Sequence, residues 1–136
     1  MRASDERNFE LLSPAGDMER LQTALRFGAD AVYVGGPLLQ LRAGSVGFDM
    51  QTLKTAADTA HAAGKKLYVA VNAFANNAEA DAAGDYARSL QALGADAVIA
   101  ADLGVIAAVR EAAPELPVHV STQANCLNHR AAQAYA

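Results

Sequence analysis

The sequence predicts an α/β fold, and within that class a parallel (β/α) barrel of TIM type with only its first four to five βα units present. Three observations carry this. The phrase Gly28-Ala29-Asp30-Ala31-Val32-Tyr33-Val34 returns as Gly94-Ala95-Asp96-Ala97-Val98-Ile99-Ala100. Each copy sets Gly just past a helical pattern, where it suits the left-handed turn that ends a helix, and follows it with a short apolar run that suits a strand buried on both faces. Between the copies lies a further strand and helix in the same rhythm. Finally, Ser13-Pro14-Ala15-Gly16 after the first strand lacks the G-x-G-x-x-G spacing of a dinucleotide-binding sheet, which favours the barrel over the doubly wound alternative. A complete barrel takes about 250 residues and this chain has 136. The expectation is therefore a truncated barrel whose sequence ends within a helix.

The elements follow in order. Glu10 to Leu12 reads as strand one, and Asp17 as the cap of a helix whose Met18, Leu21 and Leu25 fall at helical spacing. Gly28 ends that helix, and Ala31 to Val34 is strand two. A longer loop through Gly35-Gly36-Pro37 and Arg42 reaches Asp49, the cap of a helix running to about Ala63. Gly64 closes it, Lys66 to Val71 is strand three and Asn72 to Asn77 a loop. The next helix carries Tyr86, Leu90 and Leu93 on one face and stops at Gly94. Ala97 to Ala100 is strand four, Val105 to Ala113 a helix broken by Pro114, Pro117 to Val120 strand five, and a last helix starts near Asn128. Helices between strands imply parallel pairing with right-handed crossovers. The chain divides into a polar tail, residues 1–8, and one domain, residues 9–136.

Composition narrows the class. Hydrophobic residues make up 52% of the chain, but no run approaches the ~18 apolar residues of a membrane span. Met1 to Asn8 is charged and leads into no signal-peptide core. A single cysteine, Cys126, excludes an internal disulfide framework and fits a reducing, cytoplasmic setting. A net charge of −4 argues against a broad nucleic-acid face built by this segment alone.

Polar residues gather where each strand meets its following loop: Ser13 and Asp17, Arg42, Asn72, Asp102, and the run Ser121-Thr122-Gln123-Ala124-Asn125. In a barrel those loops converge on the C-terminal face, where catalytic groups sit. Arg42 offers a fixed fork for a carboxylate or phosphate. Asn72, Gln123, Asn125 and Ser121 offer neutral donors and acceptors that orient a substrate. Asp102 is the one candidate acid or base, with helix capping as its competing role, a competition Asp17 shares. Two other constellations are excluded. A nucleophile needs a base oriented by a third group, yet His119 lies about 7 Å along the strand from Ser121, and nothing positions a third partner for Cys126 and His129. His61, His119 and His129 lack the spacing of a zinc-binding helix, so no metal site is expected.

From Glu10 onward the chain resembles the N-terminal portion of the U32 peptidase family, also called the collagenase-like proteases. The resemblance rests on Glu10-Leu11-Leu12-Ser13-Pro14-Ala15-Gly16, on Gly28 to Tyr33 with Gly35-Gly36, and on Leu41-Arg42-Ala43 before Phe48. It continues through Ala60-His61 with Gly64-Lys65-Lys66, Tyr68-Val69 with Asn72, Ala101-Asp102 with Gly104, and Ser121 to Asn125. The family's N-terminal region is a TIM-like barrel, in accord with the pattern above. The resemblance implies a peptidase acting on peptides, or an oxygen-independent hydroxylase of a tRNA wobble uridine, a ribosomal RNA cytidine or a ubiquinone precursor. In the hydroxylating members it implies a 4Fe–4S cluster held by cysteines beyond the region matched here. This segment alone is then expected to hold no cofactor and to be inactive, or to survive as a non-catalytic half-barrel that self-associates through its open edges. Cys126 reads as a small hydrophobe rather than a ligand.

Overall fold

The local signals for starting and stopping helices set the frame of the molecule. A computed structural model describes residues 9–41 and 47–136. Its elements are β1 (Leu12–Pro14), α1 (Met18–Arg26), β2 (Ala31–Gly35), α2 (Met50–Ala62), β3 (Lys66–Val71), α3 (Asn77–Leu93), β4 (Ala97–Ala100), α4 (Leu103–Ala112), β5 (Val118–Val120) and α5 (His129–Tyr135). Each α-helix opens on an Asp or Asn whose side chain accepts a first-turn N–H: Asp17, Asp49, Asn76, Asp102 and Asn128. Such a cap satisfies a backbone donor that the helix itself cannot. Helices α1, α2 and α3 close alike. Gly28, Gly64 and Gly94 take left-handed φ of 98°, 69° and 104°, and the next N–H reaches back to a helix carbonyl, Ala29 to Ala24, Lys65 to Ala60 and Ala95 to Leu90.

The repeated Gly-Ala-Asp does more than end a helix. Asp96 accepts the Leu67 N–H on Oδ2 at 2.8 Å and returns its own N–H to the Leu67 carbonyl at 2.8 Å. Asp30 does the same to Leu11, accepting at 2.9 Å and donating at 2.8 Å. Each aspartate thus clamps a residue in or just before the preceding strand as its own strand begins, Leu67 of β3 and Leu11 next to β1, and register follows. A side chain from the α2 region meets each clamp, the Lys65 ammonium at 3.0 Å from Asp30 and His61 Nε2 at 2.8 Å from Asp96.

The five strands form one parallel sheet in the order β1-β2-β3-β4-β5. A doubly wound sheet reverses its strand order partway and carries helices on both faces; here the order never reverses. Val32, Val34, Leu67, Val69, Val71 and Val98 pack with helix residues such as Leu21, Leu53, Leu90 and Val105 in one core. The opposite face holds a second, smaller cluster of strand residues alone, Ala31, Tyr68 and Ala97 with Tyr33 and Ile99 against them. Helices on one face of a sequentially ordered sheet are compatible with an arc of a (β/α) barrel.

Most boundaries fall within a residue or two of the expectation, and the first strand shifts the furthest along its whole length. Strand one runs over Leu12–Pro14 instead of Glu10 to Leu12. Pro14 is tolerated because β1 is paired on one side only among the described strands, and a proline costs a ladder bond only where its nitrogen must donate. The run after β5 also folds more tightly than a loop: Thr122–Ala124 is a 3₁₀ turn, capped by Ser121 and closed by Asn125 at φ 56°.

At the N-terminal ends of the strands, the helix-free face carries a polar cluster. Glu10 accepts Lys66 Nζ at 2.9 Å and the Tyr68 hydroxyl at 2.5 Å. The Tyr68 ring meets His119 edge-on, 4.7 Å between centroids. These contacts tie the approach to β1 to β3, across β2, and on to β5. The hydroxyl of Tyr68 and the ammonium of Lys66 hold the Glu10 carboxyl below its ordinary range. Burial, reinforced by the Glu10 bond, pushes the Tyr68 hydroxyl up to about 12.

Two stability predictions follow from these contacts. Asp96→Ala strips the Leu67 N–H of a charged acceptor and should destabilise by about 1.5–3 kcal/mol, and Gly94→Ala by about 1–2 kcal/mol from the left-handed φ; urea unfolding checks both. Because the Glu10 pKa is lowered on folding, its contribution is present above the unfolded carboxylate range and lost as pH falls through the folded value. The stability gap between Glu10→Gln and the parent should therefore stay constant from about pH 6 to 9 and close toward pH 3. For Tyr68, whose pKa is raised, the stabilisation is full below about pH 10 and should fade as pH climbs toward 12, a loss that Tyr68→Phe removes.

Candidate functional site

The C-terminal ends of β1, β2 and β3 and their following loops enclose a cleft of ≈ 280 Å³. Its floor is strand backbone and small side chains, Pro14, Ala15, Gly35 and Ala70, with Tyr33 as the aromatic wall. Three carboxamides converge on it: Gln40, Asn72 and Gln123. Among the described lining residues none carries a charge, so the cleft suits a neutral, hydrogen-bonding group.

Asn72 enters from the end of β3 and Gln123 from the 3₁₀ turn after β5, so residues far apart in sequence meet. Asn72 Nδ2 lies 3.4 Å from Gln123 Oε1, a long hydrogen bond. Ser121, the buried polar residue just past β5, donates its hydroxyl to the same Gln123 oxygen. Ser121 therefore acts on the cleft through Gln123, holding that carboxamide in place.

The remaining sequence candidates fall differently. Asp102 is half-buried, and its Oδ1 accepts the Val105 N–H at 2.9 Å as the cap of α4. It starts α4 directly after β4, but its side chain is not among those lining the cleft. Asp17 likewise caps α1, with Arg20 Nη1 at 2.5 Å on its second oxygen. Asn125 is exposed and closes the 3₁₀ turn. Arg42 lies outside the described residues, directly after Leu41 of the cleft lining.

Gln40 is a site residue that strand-end logic passes over, because it sits five positions beyond β2. Leu39 adopts a left-handed φ of 58°, and its carbonyl accepts the Ala73 N–H at 2.9 Å, so the β2–α2 loop turns back onto the residue beside Asn72. Glycine made this fold-back legible in hindsight. A methyl group on Gly35 would collide with the Gln40 carboxamide, and one on Gly47 would lie 3.0 Å from its Nε2. The Phe48 N–H to Gly35 carbonyl bond, 3.1 Å, closes the loop at its base.

The donor chemistry of the chain does not fit a 4Fe–4S cluster. Four thiolates are the usual requirement, and the sequence offers Cys126 alone, which is exposed. Among the described residues no group of three or more His, Cys, Asp or Glu could hold a metal ion. No helix among them is long and apolar enough to cross a membrane.

Comparison with known proteins supplies the lineage. The chain is 43% identical over 119 residues to tRNA hydroxylation protein P of Escherichia coli, covering 88% of this chain and 26% of that protein. It is 38% identical over 124 residues to tRNA hydroxylation protein P1 of Bacillus subtilis, covering 91% of this chain and 29% of the relative. A protein of Methanocaldococcus jannaschii named as an uncharacterized protease is 38% identical over 129 residues, 93% of this chain and 30% of its own length. The chain thus spans between 26 and 30% of the length of these relatives. The model of peptidase family U32 matches residues 16–136, from the turn after β1 through α5, and the chain belongs to that family.

Proposed function

We propose that this chain forms the N-terminal, substrate-facing arc of a (β/α) barrel in a cytoplasmic enzyme that hydroxylates tRNA. The observation that carries this is 43% identity to tRNA hydroxylation protein P of Escherichia coli over 88% of the chain. The site chemistry agrees with it. A neutral cleft lined by Gln40, Asn72 and Gln123 suits a nucleobase. Arg42, next along the loop from cleft-lining Leu41, supplies a guanidinium fork for an adjoining phosphate. Asp102, at the start of α4 beyond the same strand ends, is the acid–base candidate. The net charge of −4 supports leaving the broad electrostatic grip on RNA to other surfaces.

A peptidase acting on peptide substrates is the second reading, favoured by the family's description and by the protease name of the Methanocaldococcus jannaschii relative. Against it, the Ser121 hydroxyl is committed to Gln123 and not to an imidazole base, which a serine nucleophile requires.

A chimera discriminates the two. This chain replaces the matching 119-residue segment of the Escherichia coli relative, and the chimera is expressed in a strain lacking that protein. Hydroxylated nucleosides in tRNA, read by mass spectrometry, should return; their absence beside a well-expressed chimera that cleaves gelatin would favour the peptidase. In the active chimera Arg42→Ala should cut hydroxylation at least tenfold while leaving the melting temperature within about 2 °C. Expressed alone, the chain should elute as an oligomer at micromolar concentration, since β1 and β5 each pair on one side only among the described strands; a sharp monomer peak would count against an open arc.

A further inference from the structure

Gln40 differs from the other two carboxamides of the cleft in how it is held. Asn72 and Gln123 lean on each other and on Ser121. Gln40 instead lies between two glycines, Gly35 at the end of β2 and Gly47 at the far side of its own loop. A Cβ on Gly35 would overlap the Gln40 carboxamide outright, and one on Gly47 would come within 3.0 Å of Nε2 and 3.2 Å of the Gly35 carbonyl. A side chain given that much room by missing β-carbons, in a loop strained at Leu39 to φ 58°, is placed for a purpose that packing does not explain. A well-packed alternative would fill the space with an apolar group at either glycine position. Positive φ in a non-glycine residue concentrates at functional sites for this reason.

We propose that Gln40 is the specificity-determining residue of the cleft, its carboxamide hydrogen-bonding the polar edge of a flat, neutral nucleobase seated against Tyr33. The inference rests on the RNA-hydroxylation reading and deepens it. Glutamine and asparagine carboxamides carry one donor group and one acceptor on a rigid plane, the pattern that pairs two-point with a base edge. A base withdrawn from its stack is held by such edge bonds together with an aromatic or apolar wall. The described lining residues are uncharged, which favours the base, not the phosphate, as the group that enters the cleft between them. Gly35 and Gly47 act as positioning residues, since they touch Gln40 and leave the lining chemistry unchanged.

The test compares uridine with 3-methyluridine, whose methyl group removes the ring N–H and obstructs that edge, as ligands of the chain followed by NMR of the side-chain amide groups. Uridine should perturb the Gln40, Asn72 and Gln123 amide signals and bind about tenfold or more tightly than 3-methyluridine. Gln40→Met, similar in length but without the carboxamide's donor and acceptor, and Gly35→Ala, which displaces the side chain, should each erase most of that preference. Circular dichroism on both variants separates lost recognition from lost fold, and Gln40→Ala gives a third comparison should Gly35→Ala fail to fold. Equal binding of the two nucleosides, a preference that survives Gln40→Met, or no uridine binding would each overturn the proposal. The chimera assay remains independent: an active chimera unaffected by Gln40→Met refutes this role while sparing the tRNA reading, and uridine recognition by a chain whose chimera leaves tRNA unmodified does the reverse.

Discussion

In both copies of Gly-Ala-Asp, an aspartate grips one residue at the start of the strand before it, Leu11 just ahead of β1 and Leu67 in β3, with its carboxylate and its own peptide N–H together. Everything above that grip depends on it. Parallel strands are joined by long crossovers, so no tight turn fixes their register, and a slip of one residue would exchange the two faces of a strand. The Asp30–Leu11 and Asp96–Leu67 clamps remove that freedom at the point where β2 and β4 begin. The left-handed glycine just before each one aims the chain out of the helix and into the clamp. Lys65 and His61 then contact the two carboxylates, Lys65 on Asp30 and His61 on Asp96. The third junction, Gly64-Lys65-Lys66, lacks the aspartate, and there the Lys66 N–H reaches the Asp30 carbonyl at 3.2 Å instead. One aspartate therefore helps to place the beginnings of three neighbouring strands.

Clamped register has a consequence for the two faces of the sheet. With Leu12, Ala31 and Lys66 in line, and Pro14, Tyr33 and Tyr68 in the next row, one set of side chains turns toward the helices and the other away from them. The helix-side set is branched and apolar and supplies the main core. The other set is mixed: Glu10, Lys66, Tyr68 and His119 near the strand starts, small residues midway, and carboxamides beyond the strand ends. Charged groups stand where their hydrogen bonds are made within the protein, and neutral groups stand where bonding capacity faces a cleft. That division between a stabilising end and a chemical end is the one expected of βα architectures.

Much of this was legible in the sequence because its signals are local. The caps Asp17 and Asp49 and the stops Gly28, Gly64 and Gly94 each act within a few residues, so type and spacing reveal them. Pro14 misled because proline weakens a strand in general, whereas whether its nitrogen faces a neighbour depends on which strand lies at the edge. Asp102 was ambiguous for the opposite reason. Capping and acid–base chemistry call for the same residue at the same strand end, and the hydrogen bond to Val105 is visible only in three dimensions. Asn72 and Gln123 could be paired from sequence, since both follow strands directly.

Gln40 could not, and the reason is instructive about sites on loops. Its place is set by contacts that carry no periodicity: the turn at Leu39, the bond from Ala73, and two glycines twelve residues apart whose common function is to leave room. Glycine in a sequence is read first as a turn or a cap, because those uses need only the glycine itself. Glycine as an absence, a volume kept clear for another side chain, needs both partners in view. The Gly35-Gly36-Pro37 segment thus announces a turn and conceals a pocket. The Phe48 N–H to Gly35 carbonyl bond and the Ala73 N–H to Leu39 carbonyl bond pin the loop on either side of Gln40, and a carboxamide held in place before binding loses little freedom when it binds. Direct hydrogen bonding from such a group discriminates by geometry as well as by strength, because a misplaced partner leaves the carboxamide's donor and acceptor unpaired.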